Sequence, residues 1–204
     1  MLYAYVAEIK KNIENIIYPR LPNLIIQANY NTPVDSSRVR KDDLIDDINA
    51  LIFLFLEVLE QESLPFIRQL PTIAFEISAY NSKQIQKFEA RDLAVDIFKP
   101  EPWLKNQLDI FSNQNAQLIN SLAKTETDRV SNIISQGLQS GDSYKTLQEE
   151  LEKTIGVTKR HAKFIARDQT AKLNGSLTRL RMTDLGIDEF VWQTSGDERV
   201  RKSH

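Results

Sequence analysis

Six glycines and seven prolines in 204 residues leave this chain long stretches with nothing to interrupt a helix. Most of those stretches repeat their apolar residues every three to four positions. That spacing places the apolar side chains on one helical face, so the sequence predicts a mainly α protein: a multi-helix N-terminal part, then a helical domain ending in a short β-strand or hairpin.

A first helix is expected from about Leu2 to Tyr18, with Val6, Ile9, Ile13 and Ile16/Ile17 on one face and Pro19 and Pro22 ending it. A second should run from about Lys41 to Ser63, carrying Leu44, Ile48, Leu51/Ile52, Phe55 and Leu59, with Pro65 and Pro71 breaking it. A third, about Thr72 to Phe98, is stopped by KPEPWL. The two prolines around Glu101 set an extended turn there, and Trp103 follows as an anchor. This turn is the expected domain boundary, dividing residues 1–100 from 101–204. Beyond it, Asn115 to Gln139 closes at Gly141. DSYKTLQEELEKTIG reads as a further helix with Asp142 or Ser143 as N-cap and Gly156 at its end. Thr158 is expected to cap the next helix and Gly186 to terminate it, after which EFVWQTS alternates like a short strand.

The composition narrows the functional classes. A formal net charge of −2 argues against a whole-protein nucleic-acid binder, so any basic surface must be local. The absence of cysteine removes disulfides and thiolate metal sites and suits a reducing compartment. The N-terminal MLYAYVAEIKKNIE has no basic start followed by an apolar run, so it does not resemble a signal peptide. The most apolar stretch, INALIFLFLEVL, includes Glu57 and is well short of the roughly 20 residues a bilayer needs. It reads as a core helix, with no membrane segment expected, and periodicity alone leaves open whether ALIFLFL packs internally or forms an oligomer seam.

Local charge does build up in TKRHAKFIARDQTAKLNGSLTRLR, residues Thr158 to Arg181. At 100° per residue, Ala162, Ile165/Ala166, Gln169, Leu173, Leu177 and Leu180 make an apolar stripe, while Lys159, Arg160, Lys163 and Arg167 gather on a flank away from it. Such a row can neutralise successive phosphates. The plainer alternatives are a solvated face or cations that pair with acidic residues of a partner protein. No aromatic is interleaved on this basic flank, which argues against stacking on single-stranded bases.

A second cluster, VWQTSGDERVRKSH, occupies Val191 to His204. Asp197 and His204 are too few for a metal site, and His161 lies apart on the basic helix, so no metal and no cofactor are expected. Asp197 could orient His204 as a general base, but no nucleophile or oxyanion hole accompanies them, although Ser195 and Ser203 are nearby. A turn network, with Asp197 accepting backbone N–H groups and the arginines paired to carboxylates, accounts for the same residues without catalysis.

The run IARDQTAKLN, its spacing to LGIDEFVWQTSGDERVRKSH, and the upstream KPEPWL and NAQLINSL resemble the tailed-phage minor head, or head morphogenesis, family named for the Mu F protein. The resemblance covers about Lys99 to His204. Its most specific part is the structural motif Trp192, Asp197, Glu198, Arg199, Arg201 and His204. It implies a non-enzymatic protein carried in few copies in the virion, inside the capsid near the portal vertex. Assembly would take place in the host cytoplasm, with a role in head assembly, DNA packaging or delivery. Implied partners are the portal protein, capsid or scaffold protein, and packaged double-stranded DNA through Lys159, Arg160, Lys163 and Arg167. Relatives with Cys-x-x-Cys at the positions of Arg201 to His204 imply nothing about metal here. Family members normally continue past the histidine, so this sequence is expected to be a truncated or cleaved form. The alternatives are a nucleic-acid hydrolase or toxin-like enzyme using Asp197 and His204, and a DNA-binding module.

Overall fold

The computed structural model describes residues 1–30, 41–88, 100–187 and 189. Within them the chain is mainly α and no strand occurs. Helix α1 (Leu2–Asn12) passes through a π-helical turn (Ile13–Ile17) and a short turn into α2 (Leu21–Tyr30). Three long helices follow: α3 (Lys41–Phe88), α4 (Leu104–Ser140) and α5 (Tyr144–Asp184). The expected strand around EFVWQTS lies outside the described residues apart from Glu189.

The π-helical turn follows from what the sequence asks of its isoleucines. Widening one turn, so that Tyr18 N–H reaches the Ile13 carbonyl (3.0 Å), lets both Ile13 and Ile17 point fully inward. Pro22 does not stop a helix; it sits second in α2, where its missing N–H has no intrahelical carbonyl to meet.

Pro65 and Pro71 are the larger correction, because both lie inside one continuous α3 of 48 residues. A proline in a helix interior removes a hydrogen bond and crowds the preceding turn, at about 3 kcal/mol. Burial on the opposite face outweighs that: Leu51, Phe55, Leu59, Leu70 and Ala74 are in the core, while both prolines are exposed. Carbonyls just before Pro65 also gain side-chain donors. Tyr5 Oη donates to Leu59 O (3.0 Å) and Ser63 Oγ to Glu60 O (2.7 Å). INALIFLFLEVL is therefore amphipathic, with Leu51, Phe55 and Leu59 inside and Phe53 (69% exposed) and Leu54 outside.

Gly156 is likewise passed over, since α5 runs on through it, and Thr158 is a buried residue in mid-helix and not a cap. The expected end of the third helix at Phe98 lies outside the described residues, but Gly141, Gly186 and Ser143 act as expected. Gly141 and Gly186 adopt left-handed φ of 74° and 79° and close α4 and α5 with paired bonds: Asp142 N–H to Gly137 O (2.8 Å), and Ile187 N–H to Met182 O (2.9 Å). Ser143 caps α5 by accepting from Thr146 N–H (3.2 Å).

Helices α4 and α5 form an antiparallel hairpin, with Gly137 against Leu147, Glu126 beside Thr158 and Trp103 beside Asp184. The main core draws on both sides of the turn at residues 100–103: Tyr5, Ile9, Ile13 and Phe55 pack with Ile119, Val130, Ile134, Leu147 and Leu151. A smaller cluster of Ala74, Phe111, Leu173 and Leu177 closes the far end, with Trp103 packed against it.

Candidate functional site

Helix α5 carries the basic segment, and two buried polar clusters hold it. The first surrounds Arg181, the last residue of the basic segment, which is only 6% exposed. All five guanidinium N–H bonds are used. Nε and Nη2 bind Glu101 (2.5 and 2.9 Å), Nη1 binds Ser78 O (3.1 Å) and Asn81 Oδ1 (2.6 Å), and Nη2 also binds Ser78 Oγ (3.0 Å). Trp103 lies against the guanidinium, 5.9 Å from centroid to Cζ, and donates its indole N–H to Asp184 (2.8 Å). Asn81 completes the lock by donating to Asn174 Oδ1 (2.8 Å) and Thr178 Oγ1 (2.7 Å). The end of α3, the turn before α4 and the end of α5 are thereby tied at one point. A sequence signal existed: Arg181 stands four residues after Leu177 and eight after Leu173, on the buried stripe.

The second cluster surrounds Glu126, which is fully buried. Loss of hydration pushes its carboxyl pKa up; the Thr158 hydrogen bond and the Arg129 and His161 charges pull only partly the other way. Thr158 Oγ1 meets three groups: Glu126 Oε2, Thr154 O (3.1 Å) and Arg129 Nη1 (3.2 Å). A hydroxyl has one proton to give. Thr158 donates it to Glu126 Oε2, the shortest of these contacts, and accepts from Arg129 Nη1. Glu126 Oε1 has no hydrogen bond, and Arg129 Nη1 is 3.6 Å from it.

The apolar stripe of α5 is placed as its spacing predicts. Ala162, Ile165, Leu173 and Leu177 are buried, and Ala166, Gln169 and Leu180 are half-buried. Lys159, Arg160, Lys163 and Arg167 are all exposed, and none forms an ion pair with a described residue. Asp168 pairs with Lys172 (2.7 Å) and not with Arg167. Phe164, between Lys163 and Arg167, is 67% exposed, so an aromatic does stand beside the basic flank, contrary to the sequence expectation. Next to Arg167, α5 and α3 enclose an open groove of about 730 Å³ lined by Ile77, Tyr80, Ala166 and Ala171 among others.

Trp192, Asp197, Glu198, Arg199, Arg201 and His204 lie outside the described residues, including the catalytic candidates Asp197 and His204. Among the described residues, no group of three or more His, Asp or Glu side chains is arranged to hold a metal ion, and no helix is long and apolar enough to cross a membrane.

Residues 128–204 match the family of phage Mu protein F like proteins. The resemblance read from the sequence is borne out over this span. The Mu F-like segment begins inside α4, takes in the whole of α5 with its cationic flank, and continues through the DERVR motif. The chain is also 37% identical over 103 residues to a protein of Haemophilus influenzae described as uncharacterized; this covers 50% of the chain and 23% of the relative. The chain thus matches about a quarter of that relative's length. No solved structure matches it.

Proposed function

We propose that this protein is a minor head protein of a tailed bacteriophage, carried in few copies inside the capsid near the portal vertex. Its role there is structural: it docks onto the portal or neighbouring head proteins and takes part in head assembly or DNA delivery. The family match over residues 128–204 carries this reading. The exposed row Lys159, Arg160, Lys163 and Arg167 on the matched helix, without an ion pair among the described residues, supplies a surface for it.

The test is co-expression of the full-length protein with the portal protein of the same phage, followed by affinity purification. Recovery of the two together at a fixed ratio is expected. A portal that elutes alone, with phage particles that lack the protein, overturns the reading. Substituting Asp197 and His204 by alanine separates structure from catalysis: particles should keep the protein in normal amount, and no hydrolytic activity should disappear.

A DNA-binding role is the second reading, favoured by the same four cations. It predicts affinity that falls steeply with salt and a slope that flattens when all four become alanine.

A further inference from the structure

Several exposed lysines have acidic partners one turn away, on α1, on α4 and on α5 itself. Lys10 pairs with Glu14, Lys11 with Glu8, Lys105 with Asp109 and Lys153 with Glu150. The four cations of the α5 flank have no acidic partner among the described residues, and they stand beside an apolar groove. On the helical wheel Lys163, Arg167, Thr170 and Asn174 fall within about 60° of one another. Arg167, Thr170 and Asn174 line the groove, so the basic row continues the groove wall toward the N-terminus of α5. From Lys159 to Asn174 the wall is about 22 Å long at 1.5 Å per residue, the length of a helix of about 15 residues.

We propose that this groove docks an acidic amphipathic helix from another protein. Its apolar stripe seats on Ile77, Tyr80 and Ala171, and its carboxylates meet Lys163 and Arg167. The complementarity has two parts. The cations have no ion-pair partner among the described residues and select negative charge, while Tyr80, 63% exposed, and Phe164, 67% exposed, offer apolar area that a phosphate backbone cannot cover. Glu76 on the α3 wall also lines the groove, so the helix must keep its carboxylates on the α5 side, which gives it a preferred orientation. The recognition itself stands on this surface, and it rests on the head-protein reading only for the source of the helix.

The probe is a fluorescent 16-residue peptide with leucines at every third or fourth position and glutamates flanking them, titrated into the full chain at low salt. A second peptide keeps the leucines and replaces every glutamate by lysine. The glutamate peptide should bind and the lysine peptide should not. K163E/R167E should weaken binding by about tenfold or more. Ala171→Trp, which fills the groove without altering charge, should weaken it comparably. All these positions are exposed, and unchanged melting temperatures will show that the variants fold.

Equal binding to wild type and Ala171→Trp would mean charge attraction alone and overturns the proposal, as does failure of the glutamate peptide to bind. Tighter binding of duplex or single-stranded DNA, lost in K163E/R167E but kept in Ala171→Trp, overturns it in favour of nucleic acid. Portal co-purification separates the two levels. A portal that binds while the peptide fails leaves the head-protein reading standing without this groove; a peptide that binds while the portal fails leaves the groove standing without that partner.

Discussion

Glu126 shows what burial does to a single carboxyl. Its pKa lies above the ordinary 4.5 because the charged form loses its hydration. The folded state therefore holds a proton that the unfolded chain gives up earlier. The resulting stabilisation is full below about pH 4.5 and is lost as pH rises through the elevated folded value. Glu126→Gln, which keeps the neutral shape, should flatten that fall in thermal denaturation between pH 4 and 8 and raise the melting temperature at neutral pH. A variant with the wild-type slope would show that Glu126 is not its source. Gly137 is a second residue set by its neighbour, since a Cβ there would overlap the Leu147 side chain of α5. Gly137→Ala should cost about 1–3 kcal/mol despite alanine's higher helix propensity, read from denaturant midpoints. Neither effect was legible in the sequence. Glu126 does sit four residues after Leu122 and four before Val130, so its stripe position hinted at burial, but Thr158 is 32 residues away and no local pattern pairs them.

At the level of elements, α3 and α5 are longer than their punctuation suggests. Pro65 and Gly156 are local signals, whereas the continuity of each helix comes from what its other face buries. Because the Pro65 ring is exposed, Pro65→Ala should restore a backbone bond without opening a cavity, and a gain of about 1–3 kcal/mol is expected in urea unfolding. Loss of stability would mean that the proline shapes α3 in a way the packing needs. The Arg181 lock joins three elements in the opposite way, through directed bonds. Arg181→Ala leaves Glu101, Ser78 and Asn81 facing an unfilled site and should destabilise the fold by about 3–5 kcal/mol. Arg181→Lys should recover only part of this, because one ammonium cannot reproduce the five-bond fork.

Across the whole molecule, the shared core makes folding of the two halves interdependent. Tyr5, Ile9 and Ile13 share one buried core with Ile134, Leu147 and Leu151, so circular dichroism and tryptophan fluorescence should report one coincident unfolding transition. Two separated transitions would instead support independent units meeting at residue 101. The sequence by itself determined that the chain is helical, where α4 and α5 end, which face of α5 is apolar and which cationic, and its likeness to the Mu F-like family. Each of these rests on neighbours within one or two turns, or on a local motif. Tertiary structure alone decided that prolines and a glycine would be carried through long helices, that Arg181 would be sealed against α3 and the turn before α4 while Arg167 stayed in water, and that Tyr80 and Ala171 would line one groove. Those outcomes depend on residues tens of positions apart being brought together, and burial energy summed over a whole helix face outweighs the few kcal/mol that any local signal carries.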